Sequence, residues 1–290
     1  MARLKGRSFA IGLLLFLLSY LRYLAPAYSA AAAGGAAGVA HPPYDLLSAC
    51  KDAESCPVMS EEPPETFDVV FATTAGEFTV RAVTSWAPPF VRRLWVLSRL
   101  RYMEGAPFYR VDRISATKSW VVQFGYSGEP SVDQCWDQLQ TSNETWSVHP
   151  PGNVRGTVAF SMDAVQATGA NPNCTAEDYC AQGFSTNVYI NYANNSRLDQ
   201  HGFAIVGFVL ETGMDVVDRL YAGYGEVCDL CPADGSGRHY DEFCKGFGHA
   251  CQGVNMTRLV QEGETYLSRE KPLLDRILSI SVKTPTALVV

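Results

Sequence analysis

The chain has 290 residues, 47% of them hydrophobic and 18% charged. That balance supports one sizeable core or two small ones, and it excludes a disordered polyelectrolyte or a coiled coil. The formal charge is −7 and no run of Lys or Arg interleaves with aromatics, so the footprint of a nucleic-acid binder is missing.

From the N-terminus, Arg3, Lys5 and Arg7 precede an apolar run from Phe9 to Leu21, and the small residues Ala25, Ala27, Ser29 and Ala30 follow. This order predicts a secretory signal peptide over residues 1–29. The alternatives are an uncleaved signal anchor and a plastid-type leader. Arg22 follows the run too closely for a confident transmembrane span, so no stable membrane insertion is expected of the cleaved chain. Cleavage removes four cations and no acid, which takes the charge from −7 to −11. Residues 30–65, rich in Ala, Gly and Pro, read as a flexible tether in which Cys50 and Cys56 are placed to close a small loop.

Order is predicted from residue 66. Residues 67–74 are strand-like, Ala75-Gly76 is a turn, and 77–83 resumes with alternating apolar positions, which together predict a hairpin. Pro88 and Pro89 open a helix on which Val91, Leu94, Trp95, Leu97, Ser98 and Leu100 fall at helical spacing. Further strands are expected at 108–111, 120–125, 156–161, 187–191, 203–210 and 276–282, and a second short helix at 214–221. About eight strands and two helices predict a mostly β domain over 66–283, a closed eight-stranded antiparallel barrel capped by two helices, with 284–290 as a tail.

Nine cysteines lie beyond the leader, with four sequons at Asn143, Asn173, Asn194 and Asn255. Together with the leader they point to the secretory pathway, as a secreted or lumenal glycoprotein with disulfide bonds. Cys228-Asp-Leu-Cys231, Cys244 and Cys251, near His239 and His249, allow a zinc or thiol-redox reading, but an oxidising compartment favours disulfides that staple loops. Asp199 reads as a turn former.

Seven segments carry a family resemblance in sequence order: Trp86-Ala-Pro, Gly105-Ala-Pro-Phe-Tyr-Arg-Val, Val121-Val-Gln-Phe-Gly, Asn153-Val-Arg-Gly-Thr-Val-Ala-Phe, Tyr189-Ile-Asn, Leu198-Asp-Gln-His-Gly-Phe-Ala-Ile-Val-Gly and Gly213-Met-Asp-Val-Val-Asp. Residues 66–283 thereby resemble the cyclophilin-type peptidyl-prolyl cis-trans isomerases. The resemblance implies the capped barrel, rotation about X-Pro peptide bonds, no cofactor and no metal, and proline-containing polypeptides as partners of a monomer. It makes Arg110 the catalytic arginine and Gln123 the amide that holds it and the substrate backbone. Trp120 and Val121 would line the proline pocket, Tyr189 its floor (its hydroxyl needing a partner), Leu198 its wall and Phe203 its rim. Ser161 and Asn187 would border the groove.

Two insertions set the conditions. Residues 112–119 lengthen the path from Arg110 to Gln123, and a one-residue register slip there would turn the two side chains to opposite faces. Residues 163–183 add Cys174 and Cys180 beside the groove. The alternative function is a catalytically weak module that binds proline segments, or a scaffold working through its cysteine-rich insertions.

Overall fold

The computed structural model describes residues 44–113, 119–141, 152–161, 163–166, 171–228 and 252–284. Every described residue lies within one compact unit, His41–Val290. The expected signal peptide, the Asn143 sequon, Cys231, Cys244, Cys251, His239 and His249 lie outside the described residues.

The strands are β1 (Thr66–Thr73), β2 (Gly76–Val83), β3 (Arg110–Arg113), β4 (Ser119–Phe124), β5 (Thr157–Phe160), β6 (Asp163–Gln166), β7 (Tyr179–Gln182), β8 (Val188–Asn191), β9 (Ile205–Val209) and β10 (Ile277–Lys283). Eight of them form one antiparallel sheet, a half-barrel in the order β10-β1-β2-β9-β5-β8-β4-β3, while β6 and β7 pair separately. Closure into a barrel, expected from the sequence, is not seen: β10 and β3 end the ladder as its two edges. The gap is spanned by a single bridge, Pro107 to Arg276, with Gly105 N donating to Ile277 O at 2.8 Å and Phe108 N to Asp275 O at 2.9 Å. Pro107 has no N–H and sits just before β3, where a longer ladder would need a donor.

Alternation decides which side chains enter the core. In β1 and β2, Phe67, Val69 and Phe71 face Ala82, Val80 and Phe78, and all six are buried. In β4, β8 and β5 the inward set is Val122, Phe124, Val188, Ile190, Val158 and Phe160, which join the same cluster. Helix α2 (Pro88–Arg99) carries its two prolines in the first turn, where no amide donor is required, and buries Phe90, Val91, Leu94, Trp95 and Leu97 against that cluster. Phe90 meets Phe184 edge-on at 4.1 Å between ring centroids.

Among the described residues, four helices besides the expected pair are present. Helix α1 (Leu46–Lys51) and two following 3-10 turns make residues 44–65 part of the folded unit, where the sequence reads a flexible tether. The Asp45 side chain caps α1 through the amides of Leu47 and Ser48, Trp136 Nε1 donates to Leu46 O at 2.9 Å, and Val58 is buried. Helix α3 (Pro130–Asp137) holds the partner of Cys50: the bond is Cys50–Cys135, Cα atoms 6.2 Å apart, and Cys56 is free and buried. This corrects the expected Cys50–Cys56 loop, since packing of α1 on α3 brings the more distant thiol within bonding reach. The shorter helix α4 (Gly213–Val217) stands where the second helix is expected, and α5 (Met256–Glu262) and α6 (Glu264–Glu270) form a pair before β10.

The second disulfide, Cys174–Cys180, closes a turn of sequence separation 6 within the β6–β7 insertion. Asn173 beside it is buried, whereas Asn194 is exposed, and the Asn255 side-chain oxygen is engaged with Arg258 N at the start of α5. Among the described residues, no helix is long and apolar enough to cross a membrane. Because Cys50 and Cys135 close a segment with sequence separation 85, replacing both by Ser is expected to lower unfolding free energy by about 2–5 kcal/mol. Urea unfolding of the two proteins measures it, and unchanged midpoints would deny the bond its role.

Candidate functional site

The face of the sheet opposite the main core carries a second row of side chains. Arg110 pairs with Gln123 across β3 and β4, Gln123 with Tyr189 across β4 and β8, and Tyr189 with Ala159 across β8 and β5. Cross-strand partners point to the same face, so these four side chains form a line across the sheet. Val121, two residues before Gln123, falls on that face as well. The β3–β4 register shifts between Val111 and Arg113, yet Arg110 pairs directly with Gln123, so the slip that would have separated them does not occur.

The apolar part of this face is a small cluster of its own. Val121, Ala159, Tyr189 and Ile205 are buried, and Trp86, Trp120, Leu198 and Phe203 pack against them. Phe203 meets Tyr189 edge-on at 5.9 Å, and the Arg197 guanidinium lies 3.2 Å from the centre of the Trp120 ring. The Tyr189 hydroxyl has its partner in Asn153 Oδ1, to which it donates at 2.6 Å, and burial pushes that hydroxyl well above its ordinary pKa. Asn153 is itself held through Nδ2 and its backbone N by Asp199 Oδ1, at 2.7 and 2.8 Å. Asp199, whose carbonyl also accepts from Gly202 N, thus braces a turn.

At the polar end, Arg110 Nη1 donates to Gln123 Oε1 at 2.6 Å, and Gln123 Nε2 donates to Ser161 Oγ at 2.6 Å. Ser161 N donates to Asn187 O at 2.8 Å, and Tyr109 OH donates to Asn187 Oδ1 at 3.2 Å. Arg110 Nη2 is ion-paired to Glu226 Oε2 at 2.6 Å, with side-chain exposures of 15% for Arg110 and 1% for Glu226. Asp112, fully buried where the register shifts, reaches Glu226 by a side-chain hydrogen bond when its carboxyl is protonated and meets no donor when it is ionised, while Arg110 Nε lacks an acceptor. Burial pushes the Asp112 carboxyl up to about 7, the Glu226 charge adds to this, and Arg110 opposes it. For Arg110 burial works against the charge, but Glu226 and then Asp112 more than offset it and hold the guanidinium above its usual value.

Searches against protein-family models and against curated proteins find no match. A solved cyclophilin type peptidyl-prolyl cis-trans isomerase from Cryptosporidium parvum aligns over 76% of this chain and 99% of its own, at 13% identity and a TM-score of 0.41. A structure of a Cryptosporidium parvum cyclophilin type isomerase in the presence of the dipeptide Ala-Pro aligns over 52% of this chain and 82% of its own, at 13% identity and a TM-score of 0.37. At such identity and TM-score the functional reading must come from this chain's own side chains.

The residues matched to cyclophilins by motif are brought to one face. Arg110, Gln123, Ser161 and Asn187 form its polar end, and Trp120, Val121, Tyr189, Leu198 and Phe203 its apolar end. Motif matching missed Glu226 and Asp112. Alternation from Arg110 hints at Asp112, two positions on. Nothing local hints at Glu226, which lies 116 residues from its partner.

Proposed function

We propose that this chain is a peptidyl-prolyl cis-trans isomerase acting on X-Pro bonds of proteins in the secretory pathway. One observation carries the reading: a guanidinium is held from two sides, by Gln123 and Glu226, on the face that carries the apolar cluster around Tyr189. A prolyl amide rotates slowly because resonance gives its C–N bond double-bond character, a barrier of about 18–20 kcal/mol. In the twisted state conjugation is lost and the proline nitrogen becomes pyramidal, with a lone pair that accepts a hydrogen bond. A fixed cationic donor beside that nitrogen favours the twisted state over either planar one, which is the differential binding that accelerates a step.

In this reading Arg110 is the donor, and Gln123 orients it and contacts the substrate backbone. The cluster of Val121, Tyr189, Leu198 and Phe203, with Trp120 at its margin, takes the proline ring. Ser161 and Asn187 flank the extended peptide, whose main chain supplies the remaining hydrogen bonds. No covalent bond to the enzyme forms. Disulfides at Cys50–Cys135 and Cys174–Cys180 and the exposed Asn194 sequon support an oxidising compartment.

The test is isomerisation of an Ala-Pro peptide followed by NMR exchange spectroscopy. Exchange between cis and trans signals faster than in buffer is expected at catalytic protein concentrations. Peptide binding without faster exchange would assign the chain to proline-segment binding instead, and the absence of both would end the proposal.

A further inference from the structure

Arg110 is steered by more than the strand beside it. Glu226 stands on the segment after α4, and both of its carboxylate oxygens are engaged: Oε2 accepts from Arg110 Nη2 and Oε1 from the amide of Val227 at 2.8 Å. That segment is pinned from behind. Cys228 N donates to Val254 O at 2.9 Å, and Cys228 is disulfide-bonded. A Cβ on Gly253 would collide with the Glu226 carbonyl, so only glycine permits this approach. Val227 and Val254 are buried in a cluster with Tyr109, Leu259, Tyr266 and Leu267, which joins α5 and α6 to the residue preceding Arg110. Glu226 is therefore a fixed anchor on the guanidinium, opposite Gln123.

Asp112 makes the arrangement asymmetric. It is fully buried, its protonated carboxyl reaches Glu226 by a side-chain hydrogen bond and no donor meets it once ionised, so the cluster holds two acids for one arginine. The charges acting on Asp112 are Glu226 and Arg110; those acting on Arg110 are Glu226, Asp112 and the Tyr109 hydroxyl, with the neutral Gln123 on its other side. Resting on the isomerase reading, we propose that Glu226 is the positioning residue for Arg110, and that loss of the Asp112 proton weakens Arg110 as a donor to the substrate. With Asp112 neutral, Arg110 and Glu226 form a balanced pair. With Asp112 ionised, the cluster carries a net negative charge, and the potential that Arg110 presents to the prolyl nitrogen falls. The relevant window is around neutrality, where the Asp112 carboxyl titrates at about 7.

The experiment measures kcat and KM for an Ala-Pro peptide from pH 5.5 to 8.5 in wild type, Asp112→Asn and Glu226→Gln. Wild-type kcat is expected to fall as pH rises through neutrality, while Asp112→Asn shows no inflection. Glu226→Gln, which keeps shape and loses charge, is expected to lower kcat by about 10- to 100-fold with little change in KM, as displacement of a reacting group does. An Asp112→Asn profile that keeps the wild-type inflection, or a Glu226→Gln enzyme with wild-type kcat, overturns the proposal. Guanidinium 15N signals of Arg110 separate this from failure of the isomerase reading: they should titrate in wild type and not in Asp112→Asn, even in a chain that turns over nothing. Their failure to titrate in wild type would also overturn it.

Discussion

Replacing Arg110 by Ala is expected to lower kcat/KM for an Ala-Pro peptide by about 10²- to 10³-fold, the cost of removing one preorganised donor from a developing charge. The effect should lie mainly in kcat, because the apolar cluster around Tyr189 that receives the proline ring is untouched. Truncation also strands Glu226 and Asp112 in the interior, and breaking a buried ion pair on one side costs about 3–5 kcal/mol. The informative comparison is therefore Arg110→Ala with Glu226→Gln, which removes one of those charges, alongside Arg110→Lys. Lysine keeps the charge but presents one point donor in place of a planar fork, so it cannot serve Gln123 and Glu226 in the same geometry. A folded Arg110→Ala protein that catalyses as fast as wild type would remove Arg110 from the mechanism.

Asp112→Asn is expected to stabilise the fold at pH 8 and to change it little near pH 4. The sign follows from which state holds the proton. In the folded chain the carboxyl titrates at about 7, against an ordinary 3.8. Between those values the folded state keeps a proton that the unfolded state has released, so stability falls as pH rises through this interval and levels off above it. Every tenfold change in proton affinity between the two states is worth about 1.4 kcal/mol, so the loss is of the order of a few kcal/mol. Asparagine fills the same space with no charge to bury and escapes this loss. Chemical unfolding of both proteins at pH 5 and pH 8 measures it. Parallel stabilities across the two pH values would show that Asp112 is not a buried, ionising acid.

The same cluster explains why a stability cost persists at this point. Three charged side chains in one buried place are expensive unless each is paired, and no donor meets the ionised Asp112 carboxylate. A well-packed apolar substitute would make a more stable protein. In the proposed function, what the arrangement secures is orientation of Arg110, whose contacts with Gln123 and Glu226 fix the plane of the guanidinium.

Much of the frame was legible from local pattern. Alternation in residues 67–83 marks a hairpin because side chains in a strand must point to opposite sides of one wall, and Phe71 and Phe78 do meet across it. Pro88-Pro89 ahead of helically spaced Val91, Leu94 and Leu97 marks α2 for an equally local reason, since only a first turn tolerates two residues without amide donors. The short motifs around Arg110, Gln123 and Tyr189 could be matched one by one because each is a continuous run. Residues 44–65 and α5 and α6 were not legible. Short helices of this kind are marginal alone and are held by what they pack on, here Trp136 and Cys135 for one and Val227 and Tyr109 for the others.

By itself, then, the order of residues marked the eight strands of the main sheet and the first helix, products of neighbours within a few positions. The tertiary structure alone decided that Cys50 takes Cys135, that the sheet stays open between β3 and β10, and that Glu226 reaches Arg110 across 116 residues. Pairings of that kind depend on where whole elements come to rest, and an electrostatic contact acts over a few ångströms of space with no periodicity along the chain to announce it.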